Sequence, residues 1–252
     1  YFNDERYLFK SDEFIAVWKS CFTNHRLLYG EGRPREGRTA KGVAPIDIGY
    51  NLEESLPSII RLGLLRKDQE LVKLAAQSLQ AHQMFMLSDG GIDNSFGSRS
   101  FKWTYYGSRT SDGMAAALLM VEESNPLFAW AALQNLRLQK ACTVDGLLSG
   151  GPSYGAASQK PCIHHSFTHA KVLAFILQEK LYPDDPIQEQ VLPRYARDGI
   201  HTFEEVASST ISGGGYTATV TANDWVYLAE GHPSGGSLTI LHHEKAGMLL
   251  AS

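Results

Sequence analysis

Between Asp89 and Gly113 the chain reads DGGIDNSFGSRSFKWTYYGSRTSDG, and within it Asn94, Arg99, Lys102, Trp103, Tyr105, Tyr106 and Arg109 follow one another closely. Guanidinium forks grip carboxylates through paired hydrogen bonds, and aromatic faces stack on the apolar faces of sugar rings. A plain connection between helices needs neither the aromatics nor the cations. The stretch therefore reads as a binding loop suited to an anionic sugar. The competing reading packs Trp103 and Tyr105 onto helix ends and leaves the cations solvated.

A second cluster is CIHHSFTHAK, with His164, His165 and His169. His165 and His169 are one helical turn apart and can face the same way. The run His-Ser-Phe-Thr-His lacks the glutamate of a HExxH zinc protease, so it predicts no metal. A histidine near a helix N-terminus is held neutral, as a general base requires. The third stretch, DIGYNLEE from Asp47 to Glu54, places Asp47 as a helix cap and Glu53 and Glu54 in a first turn, while Tyr50 and Asn51 are free to reach a sugar. Arg33 to Arg38 reads as a solvated segment or as one lip of an anionic cleft. His242-His243-Glu244 matches no fixed metal spacing. No cofactor is expected.

Elements positioning these residues follow from periodicity. Phe14, Ile15, Val17, Trp18, Cys21 and Phe22 predict a first helix capped by Ser11, and a second lies near Ile46 to Leu62. A third runs from about Asp68 to Leu87 on a stripe of Val72, Ala75, Leu79, His82 and Met86, ended by Asp89-Gly90-Gly91. A fourth starts near Ser111, and a fifth at Asn125-Pro126 runs to about Cys142. A sixth opens at Pro161 and ends near Leu181. Six helices joined pairwise predict three αα-hairpins, an incomplete ring, over residues 1–186. From 187 to 252 the grammar changes to antiparallel strands: His201 to Ile211, Tyr216 to Ala222, Trp225 to Leu228 and Ser237 to His242, punctuated by glycine-rich turns. Tyr216, Ala218 and Val220 alternate with Thr217, Thr219 and Thr221. The fold class is thus mainly α, then β. The Asn94–Arg109 loop and the His164–His165 loop are expected at the same end of the hairpins.

Composition narrows the classes. The 252 residues are 43% hydrophobic and 20% charged, with a net charge of -4, which leaves no footprint for nucleic acid. No apolar run reaches the roughly 20 residues a membrane span needs. Cys21, Cys142 and Cys162 predict packing as small apolar residues, not a disulfide framework. The sequence begins at Tyr1 without a methionine or a signal peptide, and the natural chain is expected to continue at both ends.

The motifs WTYYGSRTSDG, DNSFGSR and HHSFTHAK, followed by GYTATVTANDW and GHPSGGSLTILHH, resemble the heparinase II/III-like and alginate-lyase-like polysaccharide lyases. The resemblance implies an (α/α) toroid with a C-terminal antiparallel β-sandwich, a periplasmic or secreted location, and β-elimination on a uronic-acid-containing polysaccharide. In that chemistry Asn94 and Arg99 would neutralise the uronate carboxylate so that the C5 proton becomes removable. Tyr105 and His165 would supply base and acid, in either order. Tyr50, Lys102, Trp103, Tyr106, Arg109 and His164 would hold neighbouring sugars. Alginate, glucuronan, heparan and ulvan-like polymers all remain open as substrates, as does the oligomeric state. Two rivals stand beside this reading. A glycoside hydrolase on a helical ring would draw two acids from Asp47, Glu54, Asp89, Asp93 and Asp112. A non-catalytic glycan binder would keep the aromatics and cations.

Overall fold

Short polar side chains start the helices. Asp4, Asp47, Asp68 and Asn125 each accept a hydrogen bond from the backbone N–H of Arg6, Tyr50, Leu71 and Leu127 respectively. The computed structural model of the protein describes residues 4–29, 37–95, 113–149, 163–225 and 236–251, with only the backbone of His164 and His165. Helix α1 (Glu5–Lys19) therefore begins earlier than its apolar stripe suggests. Ser11 is not its cap; its hydroxyl instead accepts from the Arg66 guanidinium at 2.6 Å. Of that stripe Ile15 and Cys21 are buried and Trp18 and Phe22 partly so, whereas Phe14 and Val17 face outward.

The second expected helix is three pieces run together: α2 (Ile48–Tyr50), a π-helical turn (Asn51–Ser55) and α3 (Leu56–Arg66). Leu56 N–H donates to Asn51 O, five residues back. Pro57 has no N–H to offer the Glu53 carbonyl, which removes the ordinary helical bond at that point. After Lys67, in the left-handed region at φ 57°, α4 (Gln69–His82) turns back and packs on α3. Helix α5 (Met114–Leu119) is short and buried at every residue, and α6 (Pro126–Ala141) packs on it. A two-residue turn at Asp145-Gly146 joins β1 (Thr143–Val144) to β2 (Leu147–Leu148), and α7 (Ile163–Gln178) contacts both β2 and α5.

The remaining strands β3 (Gly199–Phe203), β4 (Ser208–Gly213), β5 (Tyr216–Thr221), β6 (Ser237–His243) and β7 (Gly247–Ala251) form one antiparallel sheet in chain order. The expected single strand from His201 to Ile211 is a hairpin. A 3-10 turn at Glu204–Val206 and left-handed Ala207 break it, because Phe203 and Val206 insert into the helical core, with Phe203 4.8 Å from the Phe85 ring. Residues 216–221 are the alternating strand anticipated. Thr217, Thr219 and Thr221 face inward with Ser208, Thr210 and Thr239, all buried. Ile200, Ile211, Ala218, Leu241 and Leu250 pair in one outward row across the five strands. Trp225 lies beyond β5, and 226–228 fall outside the described residues.

Polar ties join the sheet to the helices. Ala44 N–H donates to Glu205 O at 2.9 Å, and Trp225 Nε1 donates to Ala44 O at 3.0 Å. Burial pushes the Glu205 carboxyl up, but bonds from Thr23, its own backbone and His25 outweigh that and hold it below the usual range. Cys21 and Cys142 are buried, packed as the small apolar residues expected of them. Among the described residues no helix is long and apolar enough to cross a membrane.

Candidate active site

The Asp47–Ser55 segment touches described residues on either side of the aromatic and cationic stretch, Asn94 before it and Gly113 after it. On the entry side Asn94 is 1% exposed, and its Oδ1 accepts from Gly49 N–H at 3.0 Å. Its Nδ2 has no hydrogen-bond partner. On the exit side a side chain at Gly113 would meet Glu53 O at 2.2 Å, so only glycine lets the chain come this close to the π-helical turn. Asp47 is the cap expected of it, accepting from Tyr50 N–H at 3.0 Å, and Tyr50 is half-buried in the next position. A cavity of about 590 Å³ opens beside Gly113 and is lined by Glu53, Glu54, Arg61, Lys171 and Phe175. It therefore joins the π-helical turn, the loop exit and α7, the helix that carries His164 and His165.

Behind Asn94 lies a buried ion pair. Asp93 Oδ2 accepts from Arg194 at 2.5 Å and from the Thr219 hydroxyl. Asp93 Oδ1 accepts from Ser95 N–H at 3.0 Å and Ser95 Oγ at 2.5 Å. Arg194 also donates to the hydroxyls of Thr217 at 2.6 Å and Thr219 at 2.7 Å, and neither charged side chain is exposed. Sequence reasoning missed this pair: its partners are 101 residues apart, and no local pattern marks Arg194.

Under the π-helical turn, Asn51 Nδ2 donates to Leu28 O at 2.9 Å and to His82 Nε2 at 3.1 Å. His82 Nδ1–H donates to Ser78 O at 2.7 Å, which fixes the tautomer. Burial pushes its pKa down to about 4, with the Ser78 bond opposing, so it is neutral. The buried stripe position read for His82 is therefore correct, and Asn51 ties the turn internally to Leu28 and His82.

Arg99, Lys102, Trp103, Tyr105, Tyr106 and Arg109 lie outside the described residues, as do the side chains of His164 and His165. His169 is buried at 4% exposure on α7 and lines a different cavity, with Ser166 and Leu148. His242 is buried and shares a 3.0 Å hydrogen bond with Tyr195 OH, while His243 Nδ1 accepts from the Lys245 and Ala246 N–H groups. Among the described residues no three His, Cys, Asp or Glu side chains gather as a metal site.

Helices packed in pairs, a following antiparallel sheet, and a buried amide just before a cation-rich stretch of sequence make up the described scaffold. The family comparisons make this specific. The ulvan lyase N-terminal domain model matches residues 1–195 and the ulvan lyase C-terminal domain model matches 200–252; the chain belongs to the ulvan lyase family. A broad-specificity ulvan lyase from Formosa agariphila is 43% identical over 248 residues, covering 96% of this chain. The chain spans 39% of that relative's length. No solved structure matches it.

Proposed function

We propose that this chain is part of an enzyme that cleaves an ulvan-type, uronic-acid-containing polysaccharide by β-elimination. The observation that carries the reading is the Asn94 amide. Its oxygen is committed to Gly49, and its unpartnered Nδ2 can donate to a uronate carboxylate. Charge withdrawn from the carboxylate in this way lets the C5 proton leave. Arg99 would share that task, and Tyr105 and His165 would exchange the protons, with Tyr50, Lys102, Trp103, Tyr106, Arg109 and His164 on flanking sugars. The hydrolase alternative is weakened at two of its acids: Asp93 is saturated by the buried ion pair, and Asp47 caps α2.

The architecture proposed with this function is a heparinase II/III-like toroid over residues 1–186 and a β-sandwich begun by 187–252. Paired packing of α3 with α4 and of α5 with α6 supports the first. The outward apolar row of the sheet supports the second, since a second sheet would cover it. A polymer too large to cross a membrane unaided favours a periplasmic or secreted enzyme. The test is ultraviolet absorbance on a panel of uronate polymers, since elimination creates a double bond conjugated to the carboxylate. Absorbance on ulvan that is abolished by Tyr105→Phe supports the proposal. New reducing ends without absorbance refute it.

A further inference from the structure

We infer that Arg194, held by Thr217 and Thr219 on the sheet, is a positioning residue that sets the Asn94 amide through Asp93. This rests on the reading of Asn94 just given. The path is short and continuous. Arg194 presents its guanidinium between the two threonine hydroxyls of β5, and the third contact is the Asp93 carboxylate. Thr219 bonds both partners at once, donating to Asp93 while accepting from Arg194. Asp93 also closes a tight turn onto Ser95, so Asn94 is the middle residue of three whose neighbours are both pinned. Its remaining freedom is removed by Gly49.

Stability alone does not require this arrangement. Fully buried ion pairs often contribute little net stability, and in some proteins they are retained for the geometry they fix. The inward face of β5 could have packed on the helices with apolar residues; it carries hydroxyls spaced to seat a guanidinium. A residue of the 3-10 turn Pro193–Tyr195, seated on the sheet's threonines, thereby controls the direction of an amide on the helical side. A shift of about 1 Å in a positioning element can cost roughly 100-fold in rate.

The test is a mutant cycle in the full protein, with kcat, KM and thermal midpoint read for each variant. Thr219→Val keeps shape but removes the hydroxyl, and Thr217→Val repeats the test at the guanidinium alone. Thr221→Val is the control: it lies on the same face and strand, but its hydroxyl pairs with Ser208 and touches neither Arg194 nor Asp93. The expected result is a kcat loss of about 10-fold or more for Thr219→Val with KM nearly unchanged, against little change for Thr221→Val at a similar thermal midpoint. In an Asn94→Ala background the Thr219→Val loss should vanish, because coupled residues are not additive. If Thr219→Val multiplies the Asn94→Ala defect by its full factor, or if the threonine variants lose activity only in step with stability, the positioning role is wrong while Asn94 stands. If Asn94→Ala itself turns over normally, the Asn94 reading fails and this inference fails with it.

Discussion

One buried asparagine, Asn51, belongs to the Asp47–Ser55 segment and another, Asn94, meets it from outside, and they are built as opposites. Asn51 is wholly buried and gives its Nδ2 to Leu28 O and to a neutral His82, leaving its Oδ1 without a partner. Asn94 gives its Oδ1 to Gly49 N–H and leaves its Nδ2 without one. One cradle is neutral and lies beneath the helix; the other is backed by a buried ion pair and lies at the start of the loop. A spare acceptor repels a carboxylate, and a spare donor attracts it. Residue type alone would make the two equivalent; the atom each leaves over makes one a brace and the other a candidate for chemistry.

The charged cradle should be the harder to break. Arg194→Met leaves Asp93 buried without its cation and should cost about 3–5 kcal/mol in urea unfolding. The Asp93→Asn, Arg194→Met double variant should recover part of it. An undiminished midpoint for the single variant would show that the pair is not closed in solution. Next in size, Asn94→Ala should lower kcat by about 10²–10³-fold, the range for loss of one preorganised donor, with a stability loss of about 1–3 kcal/mol from the Gly49 N–H left unpaired. Asn51→Ala should show lost stability with normal kcat in the fraction that folds.

The neutral cradle should fail in acid. His82 has a folded pKa of about 4, below its ordinary 6.5, so between those values the unfolded chain holds a proton that the folded chain refuses. Its contribution is complete above about pH 6.5 and declines as pH falls through that window, by up to roughly 3 kcal/mol at the acid limit. Unfolding free energies measured from pH 7 to 5 should therefore fall, and His82→Gln should flatten the slope. The smallest effect belongs to the helix start that both cradles share. Asp47→Ala removes one cap bond and should cost about 1 kcal/mol in thermal or urea unfolding.

Local chemistry made several elements readable in advance. Asp47, Asp68 and Asn125-Pro126 start helices because a short acceptor beside a free N–H needs no distant partner. The threonine alternation in 216–221 announced a strand, but a period of two does not say which face is inside. Here the threonines go in because Arg194 and Asp93 wait there. The break between β3 and β4 was hidden, since it follows from Phe203 reaching a core built by residues more than a hundred positions earlier. The π-helical turn was hidden as well: Pro57 was visible, but not that Gly113 would approach so closely to the Glu53 carbonyl. At the site, Asn94 was legible by its company, and the ion pair that orients it was not.

Gly49 and Glu53, the two points on which Asn94 and Gly113 rest, are about one turn of helix apart. Asn94 and Gly113, which flank residues 96–112 in the sequence, thus both rest on a single short mount. For chain ends held this close, each doubling of a flexible connection adds only about 0.6 kcal/mol of closure cost. A chimera that carries the Formosa agariphila relative's residues in place of 96–112 should therefore keep a similar thermal midpoint, because Gly49, Glu53, Asn94 and Gly113 are unchanged.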